Sequence, residues 1–212
     1  MTTSPAPAQA APVERLVFFT DAAVAIALTL LILPLLDGVA EAARKGMDAF
    51  GYLGDNLAGV SSFALSFVII ARFWRSHHRL FSSIDREPPG IFWLGMLWLA
   101  SIVFLPVATA MTGAMPAARP QLVIYIGTMM VAVVAQTAMA ELAYRNPQAW
   151  AEGAELTRGT VRASWAMVIL MAAALVLALL WPSIGYWALL LLLLARPMKL
   201  LIDRIAGSDG AS

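Results

Sequence analysis

The chain has 212 residues, of which 61% are hydrophobic and only 13% are charged. A soluble domain of this size carries more charge, and several uncharged runs approach the ~20 residues that cross a bilayer as a helix. We therefore expect an all-α, polytopic membrane protein embedded in a lipid bilayer. The formal net charge of +1 gives no reason to expect a nucleic-acid partner, and the absence of cysteine excludes disulfides and thiolate chemistry.

The apolar runs predict six membrane-spanning helices in one domain that covers residues 15–205. Residues 1–14 are rich in proline and alanine and lack the basic start of a signal peptide, so we expect a disordered tail there. A second short tail is expected at 206–212. The expected spans lie at about 15–36, 56–74, 91–111, 121–142, 163–181 and 186–202. Lipid-exposed strands are excluded because hydrocarbon does not tolerate open sheet edges.

The distribution of lysine and arginine predicts the orientation of these spans. Most of the 14 basic residues fall on the side of the membrane that holds the N-terminus. The expected outer loops hold only Arg44, Lys45 and Arg119. Because short loops rich in lysine and arginine stay in the cytosol, we expect both termini to be cytoplasmic.

The first span, RLVFFTDAAVAIALTLLILPL at 15–35, combines one acid with a strongly apolar helix. At 100° per residue, Ile26, Leu30 and Leu33 fall within about 60° of one another. Asp21 lies roughly on the opposite side of the helix. The apolar stripe suits packing against other helices, as most such stripes do.

A charge at the centre of a membrane helix costs about 2.5–3.5 kcal/mol, so Asp21 should turn into the bundle and find polar partners. The inner end of the second span offers such partners in His77 and His78, which follow Trp74. One interpretation is a polar cluster that holds the first two spans together. A compatible one is a proton-sensitive element, since histidine titrates near neutral pH. Adjacent histidines point about 100° apart and cannot both bind one metal ion from a single helix face. The sequence also lacks a His-x-x-x-His pair, a cysteine ligand and paired carboxylates at mid-membrane depth, so we expect no metal site and no enzyme activity.

The stretch GYLGD at 51–55 is similar to the end of an ordinary potassium filter. The usual Thr-Val before it is missing, and Leu53 interrupts the glycine spacing. We expect a loop that leads into the second span.

Two motifs together resemble the transmembrane protein 175 potassium channel family, which occurs in bacteria, archaea and animal lysosomes. The family's first-helix pattern places an Arg, then Phe-Ser-Asp and Ala, then Ile and a Thr-Leu-Leu-like run. This sequence matches it at Arg15, Phe19, Asp21, Ala22, Ile26 and Thr29, with Thr20 in place of the usual Ser. The second span, SFALSFVIIARFWRSHHRLF, resembles the family's Phe-Trp followed by a His pair.

The resemblance implies a homotetramer of six-helix subunits around a central pore lined by the first helix. It implies a moderately selective, leak-like potassium channel in the inner membrane of a bacterium, with K⁺ and the lipid bilayer as partners and no cofactor. The constriction would be a ring of Ile26, with Leu30 and Leu33 further outside and Thr29 as a nearby polar site. The cluster that holds the helices together would comprise Arg15, Thr20, Asp21, Trp74 and His77, with His78 as the alternative to His77.

Two further alternatives stay open in the sequence. Asp37 is either a solvated helix end or, in four copies, a ring of carboxylates at the outer mouth that concentrates cations. The second function considered is a proton-coupled transporter that uses Asp21 with His77 or His78 as a relay. The apolar middle of the spans argues against it, because transporters place substrate groups at that depth.

Overall fold

The computed structural model describes residues 12–115 and 118–181, together with residues 188, 189 and 191. Most of the predicted sixth span and the tails at 1–11 and 206–212 lie outside the described residues. In chain order the helices are α1 (Pro12–Leu30), α2 (Leu33–Arg44), α3 (Ala49–Asp55), α4 (Leu57–Phe81), α5 (Ile91–Ala114), α6 (Arg119–Tyr144) and α7 (Arg158–Leu180).

Five stretches of the described chain are long and apolar enough to cross a membrane. They are Val13–Arg44, Leu57–Phe81, Ile91–Gly113, Arg119–Tyr144 and Arg158–Leu180. They correspond in order to the first five predicted spans, and the prediction of an all-helical, multi-span chain is confirmed to that extent. Three details were wrong. α1 begins at Pro12, α4 continues past Trp74 to Phe81, and the expected loop at 51–55 is part of helix α3.

The first predicted span is divided rather than continuous. α1 ends at Leu30, and α2 begins at Leu33 after a two-residue turn. Pro34 explains the break, because it has no N–H to donate to the carbonyl of Leu30 four residues earlier. The chain continues as a helix after the turn because proline is tolerated in the first turn of a helix.

The bundle is centred on α6, which lies between α5 and α7, while α1 packs against α4 and α5. Large side chains from the middle helices fill the core and are almost completely buried. These include Trp98, Ile102, Leu105, Tyr125 and Met129. Close packing of this kind holds membrane helices together, because lipid tails are as apolar as the side chains themselves.

Small and hydroxylated residues bring α4 and α5 close together. A Cβ atom added to Gly113 would lie 3.3 Å from the Cα atom of Gly59. One turn further along α4, the hydroxyl of Ser62 accepts a hydrogen bond from the hydroxyl of Thr112 on α5 at 3.0 Å. Close backbone approach with interhelical hydroxyl contacts is a common way to join helices inside a membrane.

This close approach predicts that Gly113→Ala destabilises the fold. The added methyl would press on the α4 backbone, which cannot rotate away, and overpacking of this kind typically costs about 1–3 kcal/mol. Gly127→Ala on α6 is the matched control, since nothing lies within 4 Å of its added Cβ. We expect Gly113→Ala to lower the thermal unfolding midpoint in detergent and Gly127→Ala to leave it unchanged or slightly raised. Equal midpoints for the two variants would contradict this account of the crossing.

Two loops at the same end of the bundle are joined to each other. The loop after α4 and the loop after α6 form an antiparallel bridge between Ile84 and Trp150. The backbone N–H of Ala151 donates to the Ser83 carbonyl at 3.0 Å, and the Trp150 indole donates to the Ala143 carbonyl at 2.8 Å. These contacts fix the end of α4 relative to the end of α6.

Candidate pore-lining face of the first helix

The two sides of α1 differ sharply in exposure. Ala27 and Leu31 are only 1% and 2% exposed because they pack into the bundle. Ile26 and Leu30 are 60% and 38% exposed, and Leu33 at the start of α2 is 47% exposed. The predicted apolar stripe therefore lies on the surface of the single chain. We call Ile26, Thr29, Leu30 and Leu33 the exposed α1 stripe.

Thr29 is the polar member of this stripe. Its side chain is exposed, and its hydroxyl donates to the carbonyl of Ile26 at 2.7 Å. A hydroxyl that donates to its own helix remains able to accept from another group, so the Thr29 oxygen can still face a hydrated ion or water. The stripe thus offers bulky aliphatic side chains with one oxygen between them.

Asp21 joins α1 to α4 through both of its carboxylate oxygens. The indole N–H of Trp74 donates to Oδ1 at 2.7 Å. The Nδ1 atom of His78 lies 3.4 Å from Oδ2. Trp74 and His78 are one helical turn apart and their ring centroids are separated by 5.7 Å, so both reach the same carboxylate. We call these three residues the Asp21 clamp.

His77 takes a different place from the one that the resemblance implied. Its side chain is fully buried and stacks between Phe81 and Trp98, with ring centroids 4.4 and 4.0 Å away. Within the described residues its two ring nitrogens have no hydrogen-bond partner. His77 therefore belongs to the packing of α4 on α5, and the contact with Asp21 comes from His78.

Arg15 and Thr20 also lie apart from the clamp. Arg15 is exposed beside an open depression of about 390 Å³ that Phe19 and Glu87 also line. In the part of the chain that the structure describes, it makes no ion pair with Asp21. Thr20 is buried, and its hydroxyl donates to the carbonyl of Val17 at 2.9 Å. The structure thus brings Trp74 and His78 to Asp21 but leaves Arg15, Thr20 and His77 elsewhere.

Acidic residues follow the exposed α1 stripe along α2. Asp37 is exposed, and Glu41 pairs with Lys45 at 2.7 Å. The hydrogen bond to the Glu41 carboxylate raises the pKa of Lys45 above its usual value, and the positive charge of Lys45 offsets the negative charge of Glu41. Asp37 consequently has the less compensated charge of the two acids.

Sequence reasoning missed the contact that holds α3 against α2. The hydroxyl of Tyr52 donates to the carbonyl of Leu35, just beyond the break between α1 and α2. The Tyr52 ring also packs on Gly38, where an added Cβ would lie 2.8 Å from the hydroxyl oxygen. One sequence signal for α3 was present. Asp48 is a helix N-cap whose carboxylate accepts from the N–H of Gly51 at 2.7 Å.

A buried hydroxyl cluster was also missed. The Ser66 hydroxyl lies 2.8 Å from that of Tyr125 and 2.8 Å from that of Thr109. These three residues come from α4, α6 and α5, so the cluster ties the helix behind α1 to the centre of the bundle. Hydrogen bonds between membrane helices satisfy polar groups that lipid cannot satisfy.

A family model described as "Endosomal/lysosomal potassium channel TMEM175" matches residues 15–106. Over this segment, a little under half of its length, the chain is similar to the TMEM175 family. The matched segment runs from within α1 into α5, and it contains the whole exposed α1 stripe and the Asp21 clamp. The predicted resemblance to this family, made from motifs in the first two spans, is confirmed by this match.

Two curated relatives match the chain in sequence. A potassium channel of Streptomyces collinus is 33% identical over 97 residues, which is 46% of each chain. A potassium channel of Chamaesiphon minutus is 30% identical over 119 residues, covering 53% of this chain and 57% of the relative. The chain thus spans about half the length of the curated relatives it matches. Both relatives are named as channels rather than enzymes.

A solved structure supports the fold over nearly the full length. The crystal structure of a lysosomal potassium-selective channel TMEM175 homolog from Chamaesiphon minutus matches with a TM-score of 0.66. The match covers 94% of this chain and 98% of the other, at 20% sequence identity. At that identity the comparison establishes the fold and not the chemistry of individual residues.

Proposed function

We propose that this chain is one subunit of a moderately potassium-selective, leak-like cation channel. Four copies would surround a central pore, with α1 of each copy lining it and the N-terminus on the cytosolic side of a cell membrane. Ile26 would form the constriction, and Leu30 and Leu33 would continue it toward the outside. The curated relatives are named potassium channels, which supports K⁺ as the permeant ion.

The observation that carries this proposal is the exposed α1 stripe. The opposite side of α1 is buried in the bundle, so the stripe is the side that remains available to other copies. It also contains Thr29 and leads to the exposed carboxylate of Asp37. An oxygen among aliphatic side chains and an acid at the end suit the wall of a cation pore better than a surface covered only by lipid tails.

A ring of four isoleucines would control ion conduction through the hydration of the pore and of the ion. A narrow aliphatic constriction blocks conduction by dewetting and conducts when it is slightly wider. An ion that crosses such a ring loses part of its hydration shell without gaining carbonyl ligands. K⁺ is dehydrated more easily than the smaller Na⁺, so selectivity arises but stays moderate.

The geometry gives less support to a proton-coupled transporter. Asp21 is held by Trp74, which cannot titrate, and by His78, which is near one end of α4. His77, the other candidate for a relay, is enclosed by aromatic rings on a different side of α4. A relay across the membrane would need further titratable groups in line with these.

The decisive experiment is a reversal-potential measurement on purified protein in a planar bilayer with K⁺ on one side and Na⁺ on the other. We expect a current that reverses toward the potassium equilibrium potential. A current that reverses at zero would show a non-selective pore. A well-folded oligomer that passes no current, but moves protons in response to a pH jump, would favour a transporter.

The tetramer gives a separate prediction. Amine- or carboxylate-directed cross-linking in detergent should produce a ladder of four bands on a denaturing gel, because a single pore helix per chain needs several copies to enclose a pore. Cross-linking at increasing dilution is the control for random collision, since the ladder of a stable complex does not depend on concentration. A ladder that ends at two bands would contradict the four-subunit pore.

A further inference from the structure

A groove of about 350 Å³ opens on the side of the bundle formed by α5, α6 and α7. Its walls are mainly apolar and include Val134, Ala138 and Trp165. One end is charged, where Glu141 and Arg145 belong to its lining. Most residues that line the groove belong to α6 and α7. The exposed α1 stripe lies on a helix that packs against α4 and α5. The pore proposal therefore leaves the groove without a role.

The charged end presents a guanidinium in a fixed position. Both Nε and Nη2 of Arg145 lie 2.6 Å from the same carboxylate oxygen of Glu141. The Arg145 side chain is nevertheless 71% exposed, while that of Glu141 is 27% exposed. A guanidinium has five N–H groups, so several remain for an anionic acceptor at the surface. A second cation, Arg158, is held at the same end of the bundle, where its Nε donates to the Tyr144 hydroxyl at 3.0 Å.

The length of the groove along α6 is close to the thickness of one lipid leaflet. From Val134 to Arg145, α6 rises roughly 16 Å at ~1.5 Å per residue. Half of a ~30 Å hydrocarbon core is ~15 Å, so the apolar part suits an acyl chain that lies along α6 with its headgroup at Arg145. Trp165 is 50% exposed beside the groove, and tryptophan is typical of the boundary between headgroups and tails.

We propose that this groove binds one anionic phospholipid from the leaflet on the side of the joined loops. The phosphate accepts hydrogen bonds from Arg145, and one acyl chain lies against Ala138 and Val134. Glu141 orients the guanidinium, because it accepts from two of its nitrogens and leaves the others directed to the lipid. Glu152 and Glu155 are also exposed in the loop before α7, so the preference for a net negative headgroup rests on the exposed guanidinium of Arg145, with Arg158 as a second cation at the same end. On the proposed orientation, this is the cytosolic leaflet.

Native mass spectrometry of the full chain in non-ionic detergent tests the site, with phosphatidylglycerol and phosphatidylcholine titrated as the two probes. Arg145→Gln should weaken retention of phosphatidylglycerol by roughly tenfold and remove its advantage over phosphatidylcholine, because charge-assisted hydrogen bonds are lost. Arg119→Gln is the matched control, since Arg119 is an exposed arginine at the opposite end of the same helix. Equal losses in the two variants would overturn the proposal.

A second pair of variants tests the acyl chain. Ala138→Phe should fill the groove and reduce retention of both lipids, whereas Val123→Phe enlarges an exposed side chain of α6 outside the groove. Retention that survives Ala138→Phe would mean that the headgroup binds without the chain in the groove, and it would overturn the proposal. A change of oligomeric mass with unchanged lipid retention would assign the groove to a subunit contact instead. Because lipid retention is measured without ion flux, failure here leaves the channel proposal intact.

Discussion

Replacing Ile26 with alanine is expected to lower the potassium-over-sodium permeability ratio by about tenfold, toward one. That change corresponds to ~1.4 kcal/mol in the difference between the barriers for the two ions. Ile26 is the most exposed member of the aliphatic stripe on α1, and four copies would set the narrowest point of the pore. Shorter side chains would leave room for a sodium ion that keeps more of its water.

The measurement is the reversal potential with K⁺ and Na⁺ on opposite sides, compared with wild-type protein. Ile169→Ala is the matched control because Ile169 is 53% exposed but lies on α7. It removes the same atoms from an exposed isoleucine on a helix that is not proposed to line the pore. Ile26→Asn adds a second test, since a polar ring should stay wet and raise the current. An unchanged permeability ratio in both Ile26 variants would remove this residue from the filter.

The sequence predicted the membrane spans well because their apolar runs are long and the constraint is strong. The errors of the prediction lie at the ends of the helices, because the end of an apolar run is not the end of the helix that contains it. The apolar run predicts that the second span ends at Trp74, because Arg75 and the two histidines that follow are polar. Helical hydrogen bonds do not depend on the polarity of side chains, so α4 continues to Phe81. A hydropathy argument finds the part of a helix that is in lipid and not the whole helix.

The choice between His77 and His78 shows a limit of the same kind. Two adjacent residues on a helix point about 100° apart, so only one of them can face α1. Which one does so depends on how α4 is rotated against its neighbours, and packing sets that rotation. A signal was nevertheless present. Trp74 and His78 are four residues apart and share a face, while His77 shares a face with the buried Ile70 and Phe81.

The sequence predicted the break after α1 but not the helix α2 that follows it. Pro34 correctly marked the interruption, but the span was expected to end at that point. The contact that supports the continuing helix comes from Tyr52 on α3, which reaches the Leu35 carbonyl from 17 residues further along the chain. A contact of this kind between two helices can be recognised only from their three-dimensional arrangement and not from the sequence.

Asp21→Ala is expected to weaken the assembly far more than it changes ion selectivity. The substitution removes the acceptor of the Trp74 indole and the partner of His78, so it loosens α1 from α4. The loss of a hydrogen bond to a charged group costs about 1.5–3 kcal/mol, and the unpaired indole adds to that cost. Since α1 carries the proposed pore surface, its displacement would reduce the fraction of intact tetramer.

The readout is the fraction of tetramer by size-exclusion chromatography and the thermal midpoint in detergent, followed by the reversal potential of the surviving tetramer. Asp21→Asn should lie between wild type and Asp21→Ala, because its side-chain oxygen can still accept from Trp74 while the charge facing His78 is gone. Asp85→Ala, which removes an exposed loop carboxylate, is the control for a general loss of acidic charge. A stable Asp21→Ala tetramer with altered selectivity would place Asp21 in the permeation path and not in the scaffold. An intact tetramer with normal selectivity would show that the buried side of α1 holds the helix in place without the Asp21 clamp.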